Sequence, residues 1–357
     1  MSRSPVTIID VARHAGVSKT TASDALSGSG RVSRATRARI EAVAAELGYV
    51  PNSAARFLRG SKVGSVGLHI PRQVMGMTFY MEFAFAAVRQ AQEYGIDVTL
   101  LTPRSDRAPR LRADGLIVID PLPDDPVTAN LLTARIPVVT VGGIPERVPD
   151  AAGVVRGDYA GGMRELLGHM RASGATRPAL IAPNAAFRSE WATTTREAYE
   201  EWCGRNGTPP LVRGVATDAS SAAVQQVVRE LLTDEPGIDA LVCAPDGIAM
   251  CAMTTMQAMG RRVGEDMLLA ACVDNPALLL YDPPVTAIEL NAEHYGVAAV
   301  DLLVGILSGT EQAPLVRTHP VQLLVRASTR GRNAVGGRAD DGGGNDRAAE
   351  PDAPSSN

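Results

Sequence analysis

Residues 6–26 read VTIIDVARHAGVSKTTASDAL, and their spacing predicts two short helices joined by a tight turn. The apolar residues Val11, Ala12 and Ala15 recur every three or four positions, which is the spacing of one buried helix face. Gly16 tolerates the positive φ that a turn between two helices requires. The stretch therefore predicts a helix-turn-helix whose first helix contributes to a small core.

The second predicted helix is capped by Ser18 and separates its apolar and polar side chains. Ala22 and Ala25 lie at helical spacing and point inward. The outward face then holds Lys19, Thr20, Thr21, Ser23 and Asp24. Small hydrogen-bonding side chains on an exposed helix suit the readout of base edges in a DNA major groove. An ordinary helical hairpin with a solvated face is the alternative that this spacing leaves open.

A third helix follows, and it strengthens the DNA-binding interpretation. Ser33 is placed to cap it, and Ile40 and Ala44 keep the apolar period until Gly48. The short segment SAARFLRG at residues 53–60 is too small to pack alone. The head is expected to be a three-helix unit over residues 1–50, followed by a linker over residues 51–62.

These motifs resemble the lactose and galactose repressor (LacI/GalR) family. The matching stretches are TIIDVARHAGVSKTTAS at 7–23, GSGRVSRATRARIEAVAAELGYVPNSAARFL at 28–58 and VGSVGLHIP at 63–71, and the core pattern extends to about Thr329. The resemblance implies a transcriptional repressor that binds a near-palindromic operator as a homodimer. It also implies a small-molecule effector that controls the affinity for DNA.

Composition agrees with a cytoplasmic protein of two or three domains. Residues 1–62 carry ten basic and four acidic side chains, a net of +6, whereas the whole chain carries −4, so the remainder carries −10. A cationic head on an anionic body is typical of phosphate binding by the head. No uninterrupted apolar stretch reaches membrane-spanning length, and the four cysteines show no metal-ligand spacing. We expect no membrane association, no metal and no cofactor.

From Val63 onward the pattern predicts an α/β body. Short apolar runs such as GLIVID and PALIAP alternate with segments of helix length, which is typical of parallel strands covered on both faces. The resemblance implies two Rossmann-like lobes similar to type I periplasmic binding proteins, with a ligand cleft at the carboxyl ends of the strands.

The boundaries of the core, its two lobes and the tail follow from these patterns. The core is expected over residues 63–330, with one lobe at about 63–154 and 292–320 and the other at about 155–291 and 321–330. The tail over residues 331–357 has almost no bulky apolar residue and is expected to be disordered.

The resemblance also assigns DNA contacts residue by residue. Lys19, Thr20 and Asp24 match base-reading positions, and the expected phosphate contacts are Thr7, Ser18, Thr21, Ser23, Ser33 and Asn52. Asp24 departs from the family, which usually has Arg at this position. A carboxylate can accept a hydrogen bond from the cytosine amino group, so an altered half-site is expected. The alternative is that Asp24 pairs with a nearby Arg.

Residues 52–59 match the hinge helix of the family. Ala55, Arg56 and Leu58 are expected in the minor groove, where Leu58 would wedge between base pairs and bend the DNA. Two hinges from two subunits are needed for this insertion, which again implies a homodimer. A structureless linker is the alternative.

The effector positions implied by the resemblance are less characteristic. They are Met75, Phe79, Thr195, Ala219, Pro245 and Asp274. Trp191 and Arg196 lie close to Thr195 in the sequence, and Asp246 directly follows Pro245. Thr195 stands where sugar- and purine-binding members carry Arg, and a shift of one residue in the alignment would restore Arg196. A sugar effector is thus not supported and the ligand stays open. Asp246 could instead cap the helix that follows it.

The sequence disfavours two other function classes. A Rossmann-like enzyme is disfavoured because no strand is followed by GxGxxG, no GxSxG or HExxH occurs, and the five histidines form no ligand spacing. A solute-binding protein is disfavoured by the cationic head and by the lack of an export signal. The chain is therefore predicted to be a regulator and not an enzyme.

Overall fold

The computed structural model of the chain describes residues 8–26, 32–47, 64–101, 113–143 and 151–331. Thr7, the predicted hinge and nearly all of the predicted tail lie outside the described residues. The first three helices are α1 (Ile8–His14), α2 (Lys19–Leu26) and α3 (Arg34–Glu46). No helix among the described residues is long and apolar enough to cross a bilayer.

The three N-terminal helices pack around a small core of alanine, valine and isoleucine side chains. Val11, Ala22 and Ile40 are fully buried, one from each helix. Gly16 has a φ of +61°, so the predicted positive φ in the turn is confirmed. The N-terminal cap at Ser18 is also confirmed, because its Oγ accepts a hydrogen bond from the backbone N–H of Thr21 at 3.0 Å.

Twelve strands occur in the described part of the chain. They are β1 (Ser65–His69), β2 (Asp97–Leu101), β3 (Gly115–Ile119), β4 (Val138–Val141), β5 (Gly153–Gly157), β6 (Pro178–Pro183), β7 (Val212–Val215), β8 (Ala240–Cys243), β9 (Leu268–Ala271), β10 (Thr286–Glu289), β11 (Leu315–His319) and β12 (Gln322–Leu324). They form two six-stranded sheets, of order β11-β5-β4-β3-β1-β2 and β12-β10-β9-β8-β6-β7. Every pairing is parallel except that of β10 with β12.

The helices of the body connect these strands. They are α4 (Thr78–Glu93), α5 (Pro126–Leu132), α6 (Tyr159–Ala172), α7 (Glu190–Arg205), α8 (Ser221–Asp234), α9 (Ile248–Ala258) and α10 (Ala292–Ser308). The central strands β3 and β8 are buried along their whole length. Parallel strands with both faces covered are the arrangement that the continuous apolar runs predicted. The α/β fold class is confirmed.

The chain divides into two compact units. The first comprises the described residues within Met1–Tyr159, Ala185–Thr194 and Leu290–Val321, and the second those within Ala160–Asn184, Thr195–Glu289 and Gln322–Asn357. The predicted second lobe began at residue 155, which falls inside β5. This boundary is too early, because β5 pairs with β4 and β11 in the first sheet. The run GVVRG carries a charge and ends in Gly, so its pattern did not predict a buried strand.

One glycine sets the distance between α4 and α10 in the first unit. A Cβ on Gly296 would lie 2.6 Å from the backbone oxygen of Phe83 and 3.1 Å from the Cβ of Ala86. The neighbouring atoms belong to backbone and to a short side chain, so they cannot move aside easily. The two helices therefore pack at a distance that only glycine permits at this position.

We expect Gly296→Ala to lower the stability of the first unit by about 1–3 kcal/mol, because the added methyl group forces the helices apart. Gly168→Ala is the matched control, since Gly168 lies within α6 and a Cβ there meets no atom within 4 Å. It should leave stability unchanged or raise it by up to about 1 kcal/mol. Urea unfolding followed by circular dichroism measures both, and equal midpoints for the two variants would refute the packing argument.

Candidate DNA-recognition surface and effector site

The predicted recognition helix α2 places its polar residues away from the core. Lys19 and Thr20 are exposed, and Thr21, Ser23 and Asp24 are half-buried. The opposite face is fixed by Ala22 and Ala25, which are 0% and 2% exposed. The helix thus offers a lysine and a threonine side by side at its first turn, where a recognition helix contacts base edges.

The serines predicted to contact phosphates also cap the helices that follow them. Ser33 Oγ accepts a hydrogen bond from the backbone N–H of Thr36 at 3.2 Å, as Ser18 Oγ does from that of Thr21. Both serines are exposed. A capping serine lies at the positive end of a helix dipole, where a phosphate is also favoured. The predicted contacts Thr7, Asn52, Ala55, Arg56 and Leu58 lie outside the described residues.

Asp274, the most characteristic of the predicted effector residues, is paired with an arginine. Arg326 donates to its two carboxylate oxygens through Nη1 and Nη2, each at 2.7 Å, and also to the backbone oxygen of Val285 at 2.8 Å. The two side chains are only 12% and 13% exposed. Asp274 therefore forms a bidentate ion pair with Arg326. Sequence reasoning missed Arg326 because it lies 52 positions further along the chain.

Two adjacent positions, Thr195 and Arg196, align with the arginine that sugar-binding members carry. Neither provides a guanidinium group whose donors are all unengaged. Thr195 is buried, at 4% exposure. The Nη2 atom of Arg196 donates to the backbone oxygen of Pro183 at 3.0 Å. Arg196 therefore has one of its donors committed to the carboxyl end of β6.

Asp246 directly precedes the N-cap residue of α9. That residue is Gly247, which has a φ of 82° and no side chain that could cap the helix. The Oδ1 atom of Asp246 accepts a hydrogen bond from the side-chain amide of Asn275 at 3.2 Å. The carboxylate therefore links the loops that follow β8 and β9, and its capping role stays a prediction.

In the first unit, Phe79 and Trp191 belong to aromatic contacts at the carboxyl ends of the strands. The Phe79 ring packs edge-on against Tyr80, with centroids 5.3 Å apart, and Trp191 lies 5.9 Å from Phe187. Phe79 is buried, whereas Trp191 and the predicted Met75 are half-buried. These predicted positions are therefore largely apolar.

Asp120 is a carboxylate that sequence reasoning did not single out. It follows β3 directly, is 4% exposed and has a φ of 40°, which is rare for a residue other than glycine. The Tyr80 hydroxyl donates to its Oδ2 at 2.5 Å. A Cβ on Gly142, which follows β4, would lie 2.8 Å from its Oδ1. The neighbouring strand ends thus hold this carboxyl in a confined position.

Burial raises the pKa of Asp120 to about 7, and the nearby charge of Glu190 adds to this increase. The Tyr80 hydroxyl, which donates to the carboxylate, favours the ionised form and opposes the shift. Removing a carboxylate from water disfavours its charged form, and here the hydrogen bond from Tyr80 compensates only in part. Strongly shifted carboxyl groups at strand ends are candidate functional groups. The run GLIVID, which ends in this Asp, was the signal that could have identified it.

Comparison with known proteins supports this assignment of head and body. Residues 7–52 match the family model for bacterial regulatory proteins of the lacI family. Residues 167–329 match a periplasmic binding protein-like domain. The HTH-type transcriptional regulator CelR of Thermobifida fusca is 30% identical over 339 residues, which cover 89% of this chain and 96% of CelR.

The chain belongs to the LacI family. It is accordingly a DNA-binding transcriptional regulator with a periplasmic-binding-protein-like core. Among solved structures of the LacI family, a lac repressor dimer bound to operator and the anti-inducer ONPF has a TM-score of 0.75 and 25% identity, covering 91% of this chain and 99% of that one. A CelR–cellobiose complex has a TM-score of 0.65 and 26% identity, covering 90% and 99%.

The raised pKa of Asp120 predicts how the stability of the protein depends on pH. Because the pKa of Asp120 is raised from 3.8 to about 7, the folded protein keeps a proton that the unfolded chain releases above pH 4. The stabilisation that this proton provides is lost as the pH rises through about 7. Asp120→Asn, which stays neutral, should therefore gain about 3 kcal/mol relative to the wild type between pH 5 and pH 8.

Denaturant unfolding at the two pH values measures this difference. Asp124→Asn is the control, because Asp124 lies in the same loop but its side chain is 76% exposed. The difference in stability between Asp124→Asn and the wild type should be the same at both pH values. A constant difference between the wild type and Asp120→Asn at both pH values would show that Asp120 titrates normally.

Proposed function

We propose that this regulator represses transcription by binding a near-palindromic operator as a homodimer, and that a small molecule bound by its core changes the affinity for DNA. The observation that carries the proposal is the exposed polar face of α2, held outward by its buried alanines, in a head of the LacI family.

In the proposed complex, α2 lies in the major groove and reads the bases. Lys19 and Thr20 would donate to base acceptors such as guanine O6 and N7, and Asp24 would accept from a cytosine amino group. Ser18, Thr21, Ser23 and Ser33 would contact phosphates and hold the register, together with Thr7 and Asn52. The departure from Arg at Asp24 supports an operator that differs from those of most relatives.

The linker is proposed to act in the minor groove. Leu58, flanked by Ala55 and Arg56, would wedge between two base pairs at the centre of the operator and bend it. The energy of unstacking the bases is offset by the additional contacts that a bent duplex makes with the protein. This step requires one hinge from each of two subunits.

Exposed apolar residues in each unit support a homodimer. On α4, Met81 and Phe85 lie one turn apart and are 45% and 59% exposed. In the second unit, Leu279 and Leu280 are 54% and 86% exposed beside a cavity of about 400 Å³ whose lining includes Tyr281. Clusters of exposed apolar side chains of this kind are typical of interfaces. A second copy of the chain is the proposed partner, because a palindrome needs two heads related by a two-fold axis.

The effector is proposed to bind without being chemically transformed. CelR, a relative of this chain, was solved with cellobiose, and the lac repressor with ONPF. Small-molecule control through the core is the corresponding proposal here, with Met75, Phe79, Trp191, Thr195, Arg196, Asp246 and Asp274 as candidate contacts. The protein would act in the cytoplasm, where its operator is accessible.

Site selection on random duplexes tests the DNA-recognition proposal. We expect the wild type to select a near-palindrome at low ionic strength, with affinity falling steeply as salt rises. Lys19→Ala should weaken binding about 10-fold to 100-fold and relax one base position in each half-site. Asp24→Ala should relax a different position, and Leu58→Ala should weaken binding without changing the major-groove preference.

The control is Arg229→Ala, an exposed basic residue on α8 far along the chain from the head. It removes the same charge as Lys19→Ala and should leave both affinity and base preference unchanged. If the wild type selects no duplex, the proposed function fails. If Asp24→Ala keeps every base preference, only the role of Asp24 is withdrawn.

The double variant Phe85→Asp, Leu280→Asp should sediment as a monomer, because it places buried charges in both halves of the proposed interface. Monomers would bind a full operator at least about 100-fold more weakly, since only one head is engaged at a time. Val316→Asp is the matched control, as Val316 is 61% exposed on the edge strand β11. Analytical ultracentrifugation decides, and a double variant that remains a dimer would rule out these surfaces.

A further inference from the structure

Asp120 is a buried carboxylate without a cationic partner in the described part of the chain. At 4% exposure it is held at the carboxyl end of β3, where its backbone N–H donates to the oxygen of Val141 at 2.7 Å. Among the described residues, no Lys, Arg or His side chain forms an ion pair with it. Asp274, by contrast, is paired with an arginine at two oxygens.

The charged residues beside Asp120 do not neutralise it. Glu190 carries the same sign, and its own cation is Arg156, with Nε and Oε1 3.4 Å apart. Glu190 Oε2 also accepts the backbone N–H of Gly143. Arg156 is therefore paired with Glu190, and the nearby Arg188 is paired with Asp124, so neither arginine forms an ion pair with Asp120.

The side chains around this carboxylate are aromatic. Tyr80 donates its hydroxyl to Oδ2, and Trp191 lies close enough to affect the ionisation of Asp120. Phe79 and Phe187 pack against these two rings. The faces of aromatic rings attract cations, and a carboxylate among aromatic rings suits a protonated amine more strongly than a neutral hydroxyl.

The carboxylate can accept more than the single bond from Tyr80. An ionised carboxyl offers about four lone-pair directions, and the Tyr80 hydroxyl uses one of them. Trp191 and Phe187 are half-buried, so the aromatic shell has a side that faces solvent. A nitrogen that carries several N–H donors would satisfy the remaining lone pairs and the charge together.

We propose that the effector of this regulator carries a protonated nitrogen, which forms an ion pair with Asp120 beside the rings of Tyr80 and Trp191. The proposal rests on the proposed function, because it names the chemical class of the molecule that the core binds.

Paired probes that differ only in the nitrogen test this proposal. They are 6-amino-6-deoxyglucose against glucose, and 1,4-diaminobutane against 1,4-butanediol, each added to the full-length protein. We expect at least one amine to raise the melting temperature at pH 8 while its neutral counterpart does not. In Asp120→Asn the affinity for that amine should fall at least 10-fold, and in Asp124→Asn it should be unchanged.

The pH dependence gives a second readout. Binding of the amine should weaken from pH 8 to pH 6 as Asp120 takes up a proton. The other groups that face it are Glu190 with its partner Arg156, and the tyrosines Tyr80, Tyr159 and Tyr295. Burial raises the pKa of all three tyrosines, so they stay neutral throughout this range.

The inference is overturned if neither amine stabilises the protein, if the neutral counterpart stabilises it equally, or if Asp120→Asn binds the amine as the wild type does. Retention on the selected operator is measured in the same samples. If the operator is bound and is released by cellobiose or glucose regardless of Asp120, the cationic effector is wrong and the repressor function stands. If no duplex is bound, the proposed function itself fails, whatever the amines do.

Discussion

Burial of parallel strands on both faces is the constraint on which the body of this protein depends. Each parallel pair must be joined by a crossover that returns over a face of the sheet, so helices cover both faces. All strands of such a sheet end at the same edge. Asp120 after β3 and Gly142 after β4 therefore become neighbours, although 22 positions separate them. The candidate ligand-binding residues of the first unit lie close together because the strands that they follow end at the same edge of the sheet.

The DNA-binding head meets a different constraint, because three short helices have little apolar area to bury. Its core uses alanines such as Ala12 and Ala22, which allow close approach of the backbones, around the larger Val11 and Ile40. Close packing of this kind fixes the angle of α2 and so the direction in which Lys19 and Thr20 point. Stability and recognition are linked in the head, because the residues that bury the helix also aim its polar face.

Two carboxylates at strand ends show how burial decides the state of a charged group. Asp274, at 12% exposure, has a cationic partner in Arg326, which donates to both of its oxygens. Asp120 accepts a hydrogen bond from Tyr80 but forms no ion pair with any residue that the structure describes, and burial raises its pKa to about 7. Each pKa unit corresponds to about 1.4 kcal/mol, so an unpaired buried carboxyl is a considerable cost to stability. Ionisable groups that destabilise the fold in this way are typical of functional sites, where they serve in binding.

The sequence by itself determined the elements whose signals are local. The apolar period of α1, Gly16 in the turn and the cap at Ser18 were readable because each depends on residues within one helical turn. The central strands were readable as well, since a strand buried on both faces is apolar throughout. Only the tertiary structure placed the strand Gly153–Gly157 in the first sheet, brought Arg326 to Asp274, and enclosed Asp120 among Tyr80, Gly142 and Trp191. Those arrangements depend on which distant segments become neighbours, and pairing, burial and pKa shifts arise only once the chain has folded.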